Sequence, residues 1–112
     1  MNETQVIKAL NALAQETRLR IVKHLVACGD AGASAGDIGD SVGASSSRLS
    51  FHLSALENAG VVSSERQSRN IIYRADYTQL GNVISHLLED CCNNHPTVAA
   101  CCLPGKSDDG CC

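Results

Sequence analysis

Ser45-Ser46-Ser47-Arg48-Leu49-Ser50-Phe51-His52-Leu53, running on through Leu56-Glu57-Asn58-Ala59-Gly60 to Val61-Val62, is the stretch that decides the fold. Leu49, Leu53 and Leu56 recur at i, i+4 and i+7, the spacing of one buried helical stripe. Ser46, Ser47, Ser50 and Ser54 lie largely off that stripe. Gly60 supplies a stop, because glycine accepts the left-handed backbone that ends many helices. Residues 44–59 therefore read as an amphipathic helix with small hydroxyl side chains on its outer face.

The segments on either side complete a pattern. Upstream, Ser34 stands three residues before Asp37, a weak capping box that opens a short helix through Val42, and Gly43 ends it. A short helix, a glycine turn and an amphipathic helix make a helix-turn-helix. Downstream, Val61-Val62-Ser63-Ser64 and Ile71-Ile72-Tyr73-Arg74 flank the polar run Glu65 to Asn70, which predicts two short strands joined by a charged turn. A hairpin in that place makes the winged variety.

Further out the periodicity is again helical. Val6, Ile7, Leu10 and Leu13 mark a first helix. Glu16-Thr17 starts a second, with Leu19, Ile21, Val22, Leu25 and Val26 expected to face a core and Gly29 to stop it. Gly29 to Ala33 reads as a loop. A last helix, about Tyr77 to Cys92, places Leu80, Ile84, Leu87 and Cys91 on one face, with Val83 and Leu88 widening it. The fold class is mainly α with a small β-hairpin.

Composition narrows the function. A chain of 112 residues is one domain of modest core, for which dimerisation is a natural way to cover leftover apolar surface. Aromatics are scarce (Phe51, Tyr73, Tyr77), so the core must be Leu, Ile, Val and Ala. No run is long enough to span a membrane, and Met1-Asn2-Glu3-Thr4 lacks the layout of a secretion signal. The expected location is cytoplasmic, where thiols stay reduced. The net charge of −3 is unevenly spread: residues 1–40 carry −1, 41–74 carry +2 and 75–112 carry −4. A basic middle is compatible with a local DNA-facing surface.

Seven cysteines are present, and six fall in the last 22 residues as the pairs Cys91-Cys92, Cys101-Cys102 and Cys111-Cys112. Cysteine clusters in a reducing compartment bind metal or carry out redox chemistry more often than they form disulfides. Thiolates select soft ions. A soft trivalent ion takes three thiolates in a pyramid. Neighbouring cysteines diverge by about 100° on an ideal helix, but Pro96 disfavours helical geometry at His95 and Asn93-Asn94 suits a helix stop. A frayed end there lets Cys91 and Cys92 turn toward one ion. Cys101 or Cys102 can fold back across Thr97-Val98-Ala99-Ala100 to add the third sulfur. Asp90 and Glu89 oppose thiolate formation, so the ion itself must compensate. Four-thiolate zinc is the competing ligand set, although it favours Cys-x2-Cys spacing. Cys28 reads as structural. Every cysteine lies at or beyond a helix C-terminus, the wrong end of the dipole for a reactive catalytic thiol, which argues against an enzyme.

In this order and spacing the chain resembles the ArsR/SmtB family of bacterial metalloregulatory repressors. The blocks that carry the resemblance are Ala12-Leu13-Ala14-Gln15-Glu16-Thr17-Arg18-Leu19-Arg20-Ile21, the Ser45–Val62 stretch quoted above, and the wing Arg66-Gln67-Ser68-Arg69-Asn70-Ile71-Ile72-Tyr73-Arg74. Together they cover about residues 6–92. Two departures stand out. The short helix before the recognition helix has no Cys-x-Cys, the arrangement of the family's commonest arsenic sensors. His86-x2-Glu89 matches half of the family's zinc site, while Tyr73 and Ala75 stand where the other half would be.

The resemblance implies a homodimeric DNA-binding repressor, with residues 1–92 as the DNA-binding and dimerisation domain and 93–112 as a Cys-rich flexible tail. Its first and last helices would build the dimer. Ser46, Ser47 and Ser50 would approach base edges, and His52 is carried over from the family pattern. Arg48 would meet a phosphate, which orients without reading sequence. Arg66 and Arg69 would reach the backbone or minor groove. Cys91, Cys92, Cys101 and Cys102 would hold a trivalent arsenical or antimonial inducer, releasing the operator. A zinc or cadmium sensor and a thiol redox switch are the alternatives on the same fold.

Overall fold

The computed structural model describes residues 2–91 and 95–98. Among these residues, five α-helices and a three-stranded antiparallel sheet follow in the order α1 (Glu3–Leu13), α2 (Glu16–Cys28), β1 (Ala33–Ser34), α3 (Ala35–Val42), α4 (Ser46–Asn58), β2 (Val62–Gln67), β3 (Asn70–Ala75) and α5 (Tyr77–His86). Beyond α5 the backbone widens into a π-helical turn, Leu87–Cys91.

Local chemistry sets the helix boundaries. The side chains of Asn2, Gln15, Ser34 and Asp76 each accept a hydrogen bond from the backbone N–H three residues on, capping α1, α2, α3 and α5. At the end of α4 the Gly60 N–H donates to Glu57 O at 2.9 Å and the Val61 N–H to Leu56 O at 3.2 Å. This paired Schellman closure puts Gly60 at φ +82°. It redirects the chain from the recognition helix into the wing.

The core gathers Ile21 and Leu25 of α2, Ile38 of α3, Leu53 and Leu56 of α4, and Val61, all essentially inaccessible. Burying each such side chain stabilises by about 1.5–3 kcal/mol. The smaller Val6, Ala9 and Ala12 let α1 lie close against this cluster, and Val83 anchors α5.

Three expectations are corrected. Gly29 to Ala33 is not simply a loop: a short 3-10 turn, Gly29–Ala31, leads into β1, which pairs Ala33 with Tyr73 and Ser34 with Ile72. A two-residue strand has no periodicity of its own, and β3 supplies its partner groups. The hairpin strands run through most of the polar segment, so the turn shrinks to Ser68–Arg69. Solvent-facing strand residues are polar and resemble a loop in sequence. Leu19 and Val26 of α2 are about half exposed, and so is Ile84 of α5, whereas Val83 is buried. Leu19 and Val26 lie seven residues apart on the outer side of α2, away from the face that buries Ile21 and Leu25.

Gly29 and Gly32 share a left-handed φ, +65° and +67°, but differ in surroundings. A Cβ on Gly29 would meet nothing within 4 Å, whereas one on Gly32 would lie 2.5 Å from Tyr73 O. Gly29→Ala should cost about 1–3 kcal/mol, the penalty of a side chain at φ +65° and ψ −147°, a region essentially reserved for glycine. Gly32→Ala should cost roughly a further 1–3 kcal/mol from overpacking β1 against β3. Urea denaturation of both variants measures the difference.

Candidate nucleic-acid interface

The core stripe Leu49, Leu53 and Leu56 fixes the rotation of α4 about its axis, and with it the outward face. Ser46, Ser47, Arg48 and Ser50 are exposed at the N-terminal half of the helix. Ser45 makes no side-chain cap bond, in contrast to the caps of the other four helices. The first N–H groups of α4 are therefore not satisfied by a side chain.

His52 is half-buried and tied to a second element. Its Nδ1 accepts a hydrogen bond from Arg18 Nε of α2 at 3.2 Å. An accepting Nδ1 requires the neutral ring with its proton on Nε2. Burial, and then the positive charges of Arg18 and Arg48, hold His52 below its ordinary pKa of 6.5. The Arg18 guanidinium also lies 5.5 Å from the centroid of the Phe51 ring. Such cation–π contacts contribute about 0.5–1 kcal/mol at exposed sites. The Phe51 and His52 rings meet edge to face at 5.9 Å. Gln15, Thr17, Ser47, Arg48, Phe51 and His52 line a shallow hollow of about 430 Å³ between the start of α2 and the recognition helix.

The wing is braced at its base. Arg74 donates through Nε to Asp30 O at 2.7 Å and through Nη1 to Glu65 Oε1 at 2.8 Å. Bonds from Gln67 and Arg74 hold the Glu65 carboxyl below the usual range. Ser64 Oγ donates to Glu57 Oε2 at 2.8 Å, linking β2 to the end of α4. Arg74 thus joins the wing to the turn after α2, a structural use for a residue counted in the basic middle of the chain. Arg69 sits in the two-residue turn and Arg66 is paired opposite Ile71 in the ladder; both are exposed. The fold brings Ser46, Ser47, Arg48, Ser50 and His52 together on α4, with Arg66 and Arg69 on the separate hairpin. Arg18 and Phe51 join this surface without having been singled out in the sequence. The signal for Phe51 was its placement on the face opposite the leucine stripe.

Residues 13–65 match a family described as a helix-turn-helix domain. Among solved structures the chain is similar to an ArsR-like transcriptional regulator from Rhodococcus sp. RHA1. The two are 28% identical, with TM-score 0.71, over 93% of this chain and 95% of that one. The chain has a winged helix-turn-helix fold, the fold of DNA-binding transcriptional regulators. It is also similar to the homodimeric winged helix-turn-helix DNA-binding domain of a Mycobacterium bovis protein, at 26% identity and TM-score 0.62 over 82% of this chain and 85% of that one. A third similar structure is described as a possible transcriptional regulator for arsenical resistance, at 25% identity and TM-score 0.62 over 79% and 96%. A comparison with curated proteins finds no match.

The inducer ligands expected from sequence lie at or past the end of the described fold. The backbone of Cys91 closes the π-helical turn. Cys92, Cys101 and Cys102 lie outside the described residues. Among the described residues no group of three or more His, Cys, Asp or Glu side chains could hold a metal ion. Tyr73 and Ala75, the positions opposite His86 and Glu89 in the zinc pattern, stand on β3 rather than on the last helix. Burial, then the Glu57 charge, raises the Tyr73 pKa, so the phenol stays protonated and is a poor ligand. Cys28 is a free thiol packed against the core, 3.6 Å from His24 Nε2. No described helix is long and apolar enough to cross a membrane.

The geometry predicts a pH response. A histidine whose folded pKa lies below its unfolded value binds fewer protons when folded, so stability declines as pH falls through 6.5 toward the folded pKa. The imidazole resonances of His52 should titrate below 6.5. Arg18→Met should move that midpoint up. His52→Gln should flatten the part of the stability–pH curve between pH 7.5 and the folded midpoint; these pH limits are approximate bounds for the linkage.

Proposed function

We propose that this protein is a homodimeric repressor that binds double-stranded operator DNA and releases it on binding a trivalent arsenical or antimonial. The observation that carries the DNA reading is the face of α4: exposed Ser46, Ser47, Arg48 and Ser50 opposite a buried leucine stripe. Hydroxyls at the start of such a helix can donate to or accept from base edges in the major groove. Arg48 supplies a phosphate contact, and the exposed Arg66 and Arg69 of the wing supply others. His52 presents its Nε2–H, because Arg18 occupies Nδ1.

The dimer reading is supported by apolar side chains left outside the core. Ile7 and Leu10 of α1 are exposed, as are Tyr77 and Ile84 of α5, and α1 and α5 touch each other. A second copy covering that surface would make the two recognition helices available to two half-sites. The similarity to a homodimeric domain points the same way.

The inducer reading rests on the donor set. Cys91, Cys92 and either Cys101 or Cys102 offer three soft sulfurs where α5 gives way to the tail. An ion bound there shifts the dimer toward a form of weaker DNA affinity only through a difference in its affinity for the two forms. The similarity to a regulator described for arsenical resistance adds support. A protein of this kind works in the cytoplasm.

Fluorescence anisotropy on a cognate duplex tests the scheme. Ser47→Ala and Ser50→Ala should each weaken binding about five-fold, the weight of one net hydrogen bond. Arsenite, methylarsenite and antimonite should release wild-type protein, and Cys92→Ser should respond to none of the three. Release by zinc or cadmium alone would favour the metal-sensor alternative. Release by oxidant alone would favour the redox switch.

A further inference from the structure

We propose that Phe51 is a specificity-determining residue, an apolar probe that reads the C5-methyl group of a thymine in the major groove. The inference rests on the operator-binding reading above. Successive helical side chains are about 100° apart, so Phe51 lies about 170° from the centre of the Leu49–Leu53–Leu56 stripe. In the N-terminal half of α4 it is the outermost position, with Ser47 about 40° to one side and Arg48 about 60° to the other. The residue is 67% exposed on a face that is otherwise hydroxyl and cationic.

A phenyl ring has no donor or acceptor, so it cannot read a base edge by hydrogen bonding. The apolar group that base pairs present in the major groove is the thymine methyl. The ring is also held in place. The Arg18 guanidinium packs at 5.5 Å from its centroid, and the His52 ring meets it edge-on, inclined at 68°. Arg18 in turn is fixed by its bond to His52 Nδ1. Two arginines beside an exposed ring suit a polyanion carrying an apolar feature better than they suit an apolar protein face.

The test uses the full chain and a duplex selected by it from a randomised library. Each thymine is replaced in turn by deoxyuridine, which keeps the base pairing and removes only the methyl. One thymine in each half-site should, on replacement, weaken wild-type binding about four-fold, the worth of one buried methyl. Phe51→Ala should bind the thymine duplex more weakly by a similar factor and be indifferent to that replacement. Phe51→Leu should retain methyl sensitivity. Equal losses for wild type and Phe51→Ala at every thymine would overturn the assignment while leaving operator binding intact. A changed oligomeric state of Phe51→Ala with unaltered DNA affinity would also overturn it and assign the ring to a protein contact. Failure of the wild type to prefer any selected duplex over random competitor would remove the operator reading and this inference together.

Discussion

Leu49, Leu53 and Leu56 lie against the apolar side chains of α1, α2 and α3, and their burial sets the rotation of α4. A helix can turn about its own axis at little cost in backbone hydrogen bonds, so side-chain burial must choose the orientation. Here three leucines on one stripe choose it, and the opposite face is left to Ser47, Arg48, Ser50 and Phe51. Rotating α4 by even one residue would expose a leucine at about 1.5–3 kcal/mol. The chemistry presented to a partner is therefore a by-product of core packing.

A second set of contacts holds the outlying parts to this frame. Arg18 joins the start of α2 to the recognition helix through His52, and Glu57 at the end of α4 accepts from Ser64 at the base of the wing. Arg74 links the wing to the turn after α2. These are polar contacts at partly exposed positions, each of modest strength. Together they join three separately encoded surfaces: the entry of α2, the outer face of α4 and the hairpin.

The helices and most of their ends were legible in the sequence because their signals are local, although α5, read as running to about Cys92, gives way after His86 to a π-helical turn. Ser34 and Asp37 announced α3, and Gly43 and Gly60 marked the stops. What escaped was set by partners distant in sequence. β1 exists because β3 lies alongside it, and no pattern in Ala33–Ser34 reveals that. The exposure of Leu19 and Val26 follows from which face of α2 the other helices cover. Among the site residues, the serines could be placed from helical spacing alone. The roles of Arg18 and Arg74 depend on contacts 34 and 44 residues away along the chain. The cysteines beyond Cys91 suggest soft-ion chemistry by their number and pairing, and they lie outside the described residues.

The hairpin ladder runs unbroken from Val62–Ala75 to Gln67–Asn70 and closes through two residues. A slack basic arm of that length would surrender backbone freedom on meeting its target, at about 1–2 kcal/mol per residue immobilised. The paired strands gave up that freedom when the chain folded. Arg66 and Arg69 are thus held on a preorganised lever, and the entropic penalty of any contact they made with a partner would fall mainly on their own side chains.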